Sequence, residues 1–129
     1  MPVVIDSSAL VELVAQTERA AAVAQAVGGT DMVAPDVVNP EVLSALRRME
    51  RIGTLTARRG VQAVDDLMDA PVRRFSTVPL LAEAWTLRAN VTAADALYVV
   101  LARILRCSLV TADRKLSRSP GLGVALVMV

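Results

Sequence analysis

Short aliphatic runs alternate with segments of helical period along the whole chain. "VVI" at residues 3–5 places three β-branched residues in a row and predicts a buried strand over Pro2–Ile5. From Ser8 to Gln16, Leu10, Leu13 and Val14 share one helical face. The Ala-rich stretch Thr17–Val27 predicts a second helix, which Gly28 and Gly29 end. Met32–Ala34 is a short strand closed by Pro35. Through "VVNPEVLSALRRMERIG", Val38, Val42, Ala45, Leu46 and Met49 recur at helical offsets, with Gly53 as the stop. Another helix is predicted from about Thr56 to Asp69, a strand over Val72–Phe75, and a helix over roughly Pro79–Ala89. "VTAADALYVVLARILR" is a long helix, apolar on most sides at Leu97, Val99, Val100, Leu101, Ile104 and Leu105. Such a helix is central or faces a partner. "SLVTAD" and "GVALVMV" predict the last two strands.

Strands alternating with helices define an α/β fold with a mostly parallel sheet of four or five short strands, covered on both faces. A chain of 129 residues suits one such domain, residues 1–129. Ligands of parallel sheets bind beyond the carboxyl ends of the strands. Two strands deliver an aspartate there: Asp6 after "VVI" and Asp113 after "LVTA".

Composition narrows the class. Mean hydropathy is +0.50, which raises the question of a membrane protein. The longest charge-free stretches, Ala20–Thr30 and Ser119–Val129, are 11 residues each and contain Gly, whereas a spanning helix needs about 18–20 apolar residues. No basic segment precedes Asp6, and Cys107 is the sole cysteine, so a cytoplasmic protein without secretory signal or disulfide is expected. The net charge of +1 announces no nucleic-acid binder, yet Arg47, Arg48, Arg51, Arg58 and Arg59 are clustered. The absence of histidine matters more. It excludes Ser-His-Asp and Cys-His catalysis, His-ligated zinc and a His general base. Chemistry is left to carboxylates, hydroxyls, Arg and Lys.

The acids have ordinary explanations one at a time. Asp95 completes "TAAD", a capping-box pattern with Thr92 as N-cap. Glu41 follows Asn39-Pro40, where Asn can cap, Pro suits the first turn and an acid favours the helix dipole. Asp6 and Asp113 also lie near helix starts. Together, Asp6, Glu41, Asp95 and Asp113 occupy carboxyl ends of strands or amino ends of helices, which share one rim of a parallel sheet. Four carboxylates on one rim repel, raise one another's pKa and call for a cation. Without imidazole or thiolate, that cation is expected to be Mg²⁺ or Mn²⁺, able to activate a water and hold a phosphate oxygen.

The segments "VVIDSSAL", "PEVLSALRR", "TAADALYVVLA" and "LVTADRKL" resemble, in this order and over essentially the whole chain, those of PIN-domain ribonucleases of the VapC toxin type. The resemblance implies a three-layer α/β/α fold and metal-dependent RNA hydrolysis by Asp6, Glu41, Asp95 and Asp113, with any of the four available to take the water's proton. It implies that Ser8 and Thr111 support the carboxylates by hydrogen bonds, and that products carry 5′-phosphate and 3′-hydroxyl ends. It also implies a homodimer silenced by a VapB-type antitoxin. Arg47, Arg48 and Arg51 are then candidates for RNA or antitoxin contact. Three positions depart from the family: Ser7 where Thr or Ala is commoner, Ala94 where many relatives carry an aromatic, and Lys115 where some offer an acid or amide.

Other α/β classes fit less well. A phosphoacceptor receiver needs an acidic pair after the first strand, a haloacid-dehalogenase phosphatase needs Asp-x-Asp-x-Thr, and a dinucleotide binder needs a Gly-rich first turn. Residues 6–8 are Asp-Ser-Ser and supply none of these. The rival of a different kind is a PIN fold that binds RNA or protein with weak or no catalysis.

Overall fold

Five short strands carry the aliphatic runs: β1 (Val3–Ile5), β2 (Met32–Pro35), β3 (Val72–Phe75), β4 (Leu109–Thr111) and β5 (Leu126–Met128). The computed structural model describes all of residues 1–129. The strands form one sheet in the order β3-β2-β1-β4-β5, and every neighbouring pair is parallel. Val4, Ile5, Leu109 and Val110 are completely buried. These inner strands are covered on both faces, which is why they read as unbroken apolar runs.

Seven helices complete the three layers: α1 (Ser7–Ala15), α2 (Ala20–Val27), α3 (Val38–Arg51), α4 (Ala57–Asp69), α5 (Leu81–Thr86), α6 (Ala93–Leu105) and α7 (Arg114–Ser117). Helix α1 packs with α2, α3 and α4 and reaches β4, while α6 packs with α5 and lies against β1, β2 and β4. Residues Ala96–Ala102 of α6 are all buried, so the body of this helix is core, and Ile104, 56% exposed, is its one large hydrophobic side chain in solvent. No helix is long and apolar enough to cross a membrane.

Several boundaries differ from the sequence reading, each for a physical reason. Pro35 belongs to β2 as its last residue, paired with Phe75, where a strand end loses little from a missing N–H. Helix α2 starts at Ala20, because the Thr17 hydroxyl is occupied by the Glu12 carboxylate and by the Arg19 N–H in the preceding turn. The Pro79 segment opens with a 3₁₀ turn (Val78–Leu80), and α5 itself stops at Thr86. Beyond it Leu87, Arg88 and Asn90 donate to carbonyls three residues back, which closes the chain into tight turns. Helix α3 starts at Val38 with no side-chain cap, and Pro40 sits harmlessly in its first turn. Asn39 is therefore not a cap. Its Oδ1 accepts from Arg74 Nε at 2.9 Å, and the same guanidinium donates to the carbonyls of Val72 (3.1 Å) and Leu67 (2.6 Å). This clamp fastens the first turn of α3 to the end of α4 and to β3.

The strand order places the site. From β1 the chain builds outward through β2 and β3 on one side and through β4 and β5 on the other. The topological switch lies between β1 and β4, where adjacent connections diverge and leave a crevice.

Candidate active site

Asp6 directly follows β1 and Asp113 stands two residues after β4, the two strands that flank this crevice. Asp6 is the N-cap of α1: its Oδ1 accepts from Ala9 N at 3.0 Å and from Ser8 Oγ at 2.6 Å. Asp113 is the N-cap of the short α7 and accepts from Lys115 N at 2.9 Å. The capping reading is thus correct in geometry for both. It does not explain why Asp6 is only 3% exposed, since a cap functions equally well in water.

Two hydroxyls join the strand ends. Ser8 Oγ, bonded to Asp6, also accepts from Ala112 N at 2.9 Å and lies 3.3 Å from Thr111 Oγ1. Thr111, fully buried, accepts from Asp113 N at 3.0 Å. A continuous polar chain therefore runs from Asp6 through Ser8 and Thr111 to the Asp113 backbone. No buried side-chain nitrogen or oxygen is left without a partner.

Glu41 and Asp95 come from the first turns of α3 and α6. Thr92 caps α6 by accepting from Asp95 N at 3.2 Å, as the sequence predicts. Glu41 is held by a residue that sequence reasoning missed. The Tyr98 hydroxyl donates to Glu41 Oε1 at 2.6 Å, and Tyr98 is 1% exposed. Tyr98 lies three positions after Asp95, so one face of α6 presents an acid and the group that holds another acid. The available signal was a single tyrosine inside an otherwise aliphatic helix, since a buried phenol demands a partner.

The acids feel one another's charge. Burial pushes the Asp6 carboxyl up from its ordinary 3.8 to about 6; the charge of Asp95 adds to this, against the bonds from Ser8, Thr111 and Ala9. Asp95 is raised as well, by burial first and then by the charges of Asp113 and Glu41, with Thr92 opposing. Burial and the Glu41 carboxylate hold the Tyr98 phenol far above its usual range, so it stays a donor. The acids do not close into a cage of three or more ligands. As a donor set they are hard oxygens with no imidazole or thiolate beside them, which suits Mg²⁺ or Mn²⁺; Mg²⁺ in particular keeps several waters and needs only one or two carboxylates.

Two depressions flank the group. A groove of about 730 Å³ between α1 and α3 is lined by Ser7, Ser8, Arg19, Glu41 and Arg48 among others. A pocket of about 510 Å³ on the other side contains Asp95 and Asp113 together with Arg88 and Lys115. Of the three arginines put forward for RNA or antitoxin contact, only Arg48 lines a groove with one of the four acids. Arg47 lines the cleft between α3 and α4, and Arg51 is exposed at the end of α3.

A five-stranded parallel sheet with an acidic crevice at its β1/β4 switch is the architecture of a PIN domain, and the PIN domain family matches the chain over residues 3–122. The chain belongs to that family. Its relatives there are VapC proteins. Ribonuclease VapC3 of Mycobacterium tuberculosis is 43% identical over 118 residues, covering 91% of this chain and 86% of that protein. Ribonuclease VapC12 of the same species is 35% identical and covers 98% of both. Among solved structures, M. tuberculosis VapC20, described as a Sarcin-Ricin loop cleaving toxin, superposes with a TM-score of 0.71 at 17% identity, covering 98% of this chain and 99% of that one. VapBC2 from Rickettsia felis, bound to a DNA fragment from its promoter, superposes at 0.70 and 12% identity, covering 99% and 98%. At these identities the structural matches speak for the fold.

Proposed function

We propose that the chain is a Mg²⁺- or Mn²⁺-dependent endoribonuclease, the toxin of a VapBC-type pair, silenced by a cognate VapB-type antitoxin. The observation that carries this is the charge coupling among Asp6, Glu41, Asp95 and Asp113, with Asp6 and Asp95 raised by burial and by neighbouring negative charge. Carboxylates drawn together at such a cost are relieved by a cation. The ribonuclease names of relatives at 35–43% identity support the same reading.

In this reading Asp6, Asp95 and Asp113 hold the metal, with Glu41 completing the set. When bound, the metal supplies an acidified water and positive charge for a phosphate oxygen. The residues of the chain do the rest. Ser8 and Thr111 fix the carboxylates at the two strand ends, and Tyr98 fixes Glu41. Burial of Asp6 keeps competing water out. In-line attack of water on the phosphodiester would leave 5′-phosphate and 3′-hydroxyl ends. The antitoxin tail is assigned to the α1–α3 groove, where a basic side chain would reach Glu41. A homodimer is also proposed; α6, being core, does not supply its face. Such a toxin acts in the cytoplasm, where RNA is.

The open spacing of the acids favours the second reading, a PIN fold that binds RNA or protein without cleaving it. One experiment separates them. Purified protein is incubated with total RNA in Mg²⁺, in Mn²⁺ and in EDTA, beside Asp6→Asn. Discrete fragments that need both the metal and Asp6 are expected. Intact RNA in both metals, with folded and antitoxin-free protein, would leave the binding module as the better reading.

A further inference from the structure

The pocket that holds Asp95 and Asp113 adjoins an apolar slot of about 410 Å³, walled by Leu81, Ala84, Trp85 and Leu97. The two share Arg88, Val91 and Thr92, so they are neighbours across a common wall. Trp85 is the only tryptophan of the chain and is 67% exposed, an expensive group to leave in water. The Arg88 guanidinium lies over its ring, 4.6 Å from the centroid, and donates to the Trp85 carbonyl at 2.9 Å. One donor of the five is thereby used and the plane is pinned, with the other donors free. Neither Arg88 nor Lys115 has a carboxylate partner, although two aspartates line the same pocket; the one ion pair of the molecule is Arg103–Glu83 at 3.8 Å.

Resting on the nuclease reading, we propose that this corner is a nucleotide subsite for single-stranded RNA, with Arg88 and Lys115 holding a phosphate beside the acids and Trp85 with its slot receiving the attached base. The chemistry of the two pockets matches the two halves of a nucleotide. One is cationic at its rim; the other is planar, apolar and of small-molecule size. An acidic centre repels the RNA backbone, so cations outside the metal ligands must hold the strand. Single-stranded RNA is bound in this way, by phosphate neutralisation and by stacking on aromatic rings and guanidinium planes. The rival occupant is a second copy of the chain. A second copy would have to cover Arg88 and Lys115, cations that no carboxylate pairs in the chain, at a cost in desolvation.

The test uses the full chain carrying Asp6→Asn, to prevent cleavage, in EDTA, with a fluorescein-labelled single-stranded RNA oligonucleotide of mixed sequence, titrated over a salt series. Trp85 reports directly, because all tryptophan fluorescence comes from it. Quenching of that fluorescence on RNA addition is expected. Adding Trp85→Ala should weaken binding on the order of tenfold without changing the salt slope. Adding Arg88→Ala with Lys115→Ala should weaken it and lower the log–log salt slope by about 0.7, for the one phosphate they hold. RNA that binds without quenching, or with equal affinity and slope in these variants, overturns the subsite alone. Loss of a dimer in Trp85→Ala by sedimentation, with RNA affinity intact, assigns the face to a second copy and overturns it too. An unmodified chain that neither binds nor cleaves RNA removes the nuclease reading, and the subsite with it.

Discussion

Replacing Asp6 by Asn should make the protein inactive and more stable at once. Asp6 is 3% exposed, and its carboxyl titrates near 6 in the fold against an ordinary 3.8. Between those two values the folded chain keeps a proton that the unfolded chain releases, so stability falls as pH rises through the window. Above about pH 6 the full cost is in force, about 3 kcal/mol at 1.36 kcal/mol per pKa unit. Asn resembles the protonated acid. It keeps an oxygen to accept from Ser8 and Ala9, while its new amide donors, lacking an assigned partner, return about 1 kcal/mol of that gain. The net expectation at pH 7 is a gain of about 2 kcal/mol. For a chain of 129 residues this is roughly 7–8 °C in melting temperature. The assay is thermal unfolding of both proteins in EDTA from pH 4 to pH 8, with RNA cleavage in Mn²⁺ measured in parallel. The gain should shrink as pH falls and change sign near pH 4, where the wild-type carboxyl is protonated in the fold and the amide donors of the variant still lack a partner. A variant that melts below the wild type at pH 7, or a difference that does not change with pH, would refute the account of Asp6 as a buried, uncompensated charge.

Other perturbations follow from the same contacts. Tyr98→Phe removes the bond to Glu41 without opening a cavity; about 1 kcal/mol is expected, seen as a fall of about 4 °C, together with a roughly fivefold rise in the Mn²⁺ concentration that half-saturates cleavage. An unchanged metal requirement in that variant would make Tyr98 a packing residue only. Ser8→Ala strips a donor from Asp6 and an acceptor from Ala112, so denaturant titration should show a loss of about 1–3 kcal/mol. Because the Ser8 bond lowers the Asp6 pKa, the acid limb of the activity profile should also move to higher pH in this variant. Mn²⁺ at a hundred times its dissociation constant should stabilise the wild type by about 2.7 kcal/mol, and a calorimetric scan should find that gain greatly reduced in Asp6→Asn.

What the sequence disclosed was local. The β-branched run before Asp6, the "LVTA" run before Asp113 and the Thr92 cap three residues before Asp95 each lie within a few positions, where strand and helix periodicity operate. The same reasoning placed both hydroxyls, Ser8 and Thr111, in supporting roles through the family resemblance. What escaped were bonds between distant elements. The Tyr98–Glu41 bond spans 57 positions, and the Arg74–Asn39 bond spans 35. Asn39 shows the difficulty well: an Asn before a Pro at a helix start has every local feature of a cap, yet its oxygen is taken by a guanidinium from β3. The arginines show the same limit. Clustering in sequence put Arg47, Arg48 and Arg51 forward, but one helix points them in different directions, and the cations beside Asp95 and Asp113 are Arg88 and Lys115, from two other segments.

The polar chain from Asp6 to Asp113 has a consequence for when the site comes into being. Its closing contacts join Ser8 to Thr111 and Ala112 across 103 and 104 positions. Loop closure over such a span is slow, so contacts of this kind form late in folding. The four acids, moreover, arrive on four separate elements, and no fragment of the fold brings more than part of the group together. On the nuclease reading, a nascent or locally opened chain carries every acid and cuts nothing; cleavage switches on with the completed β1–β4 pairing and is lost as soon as that pairing opens.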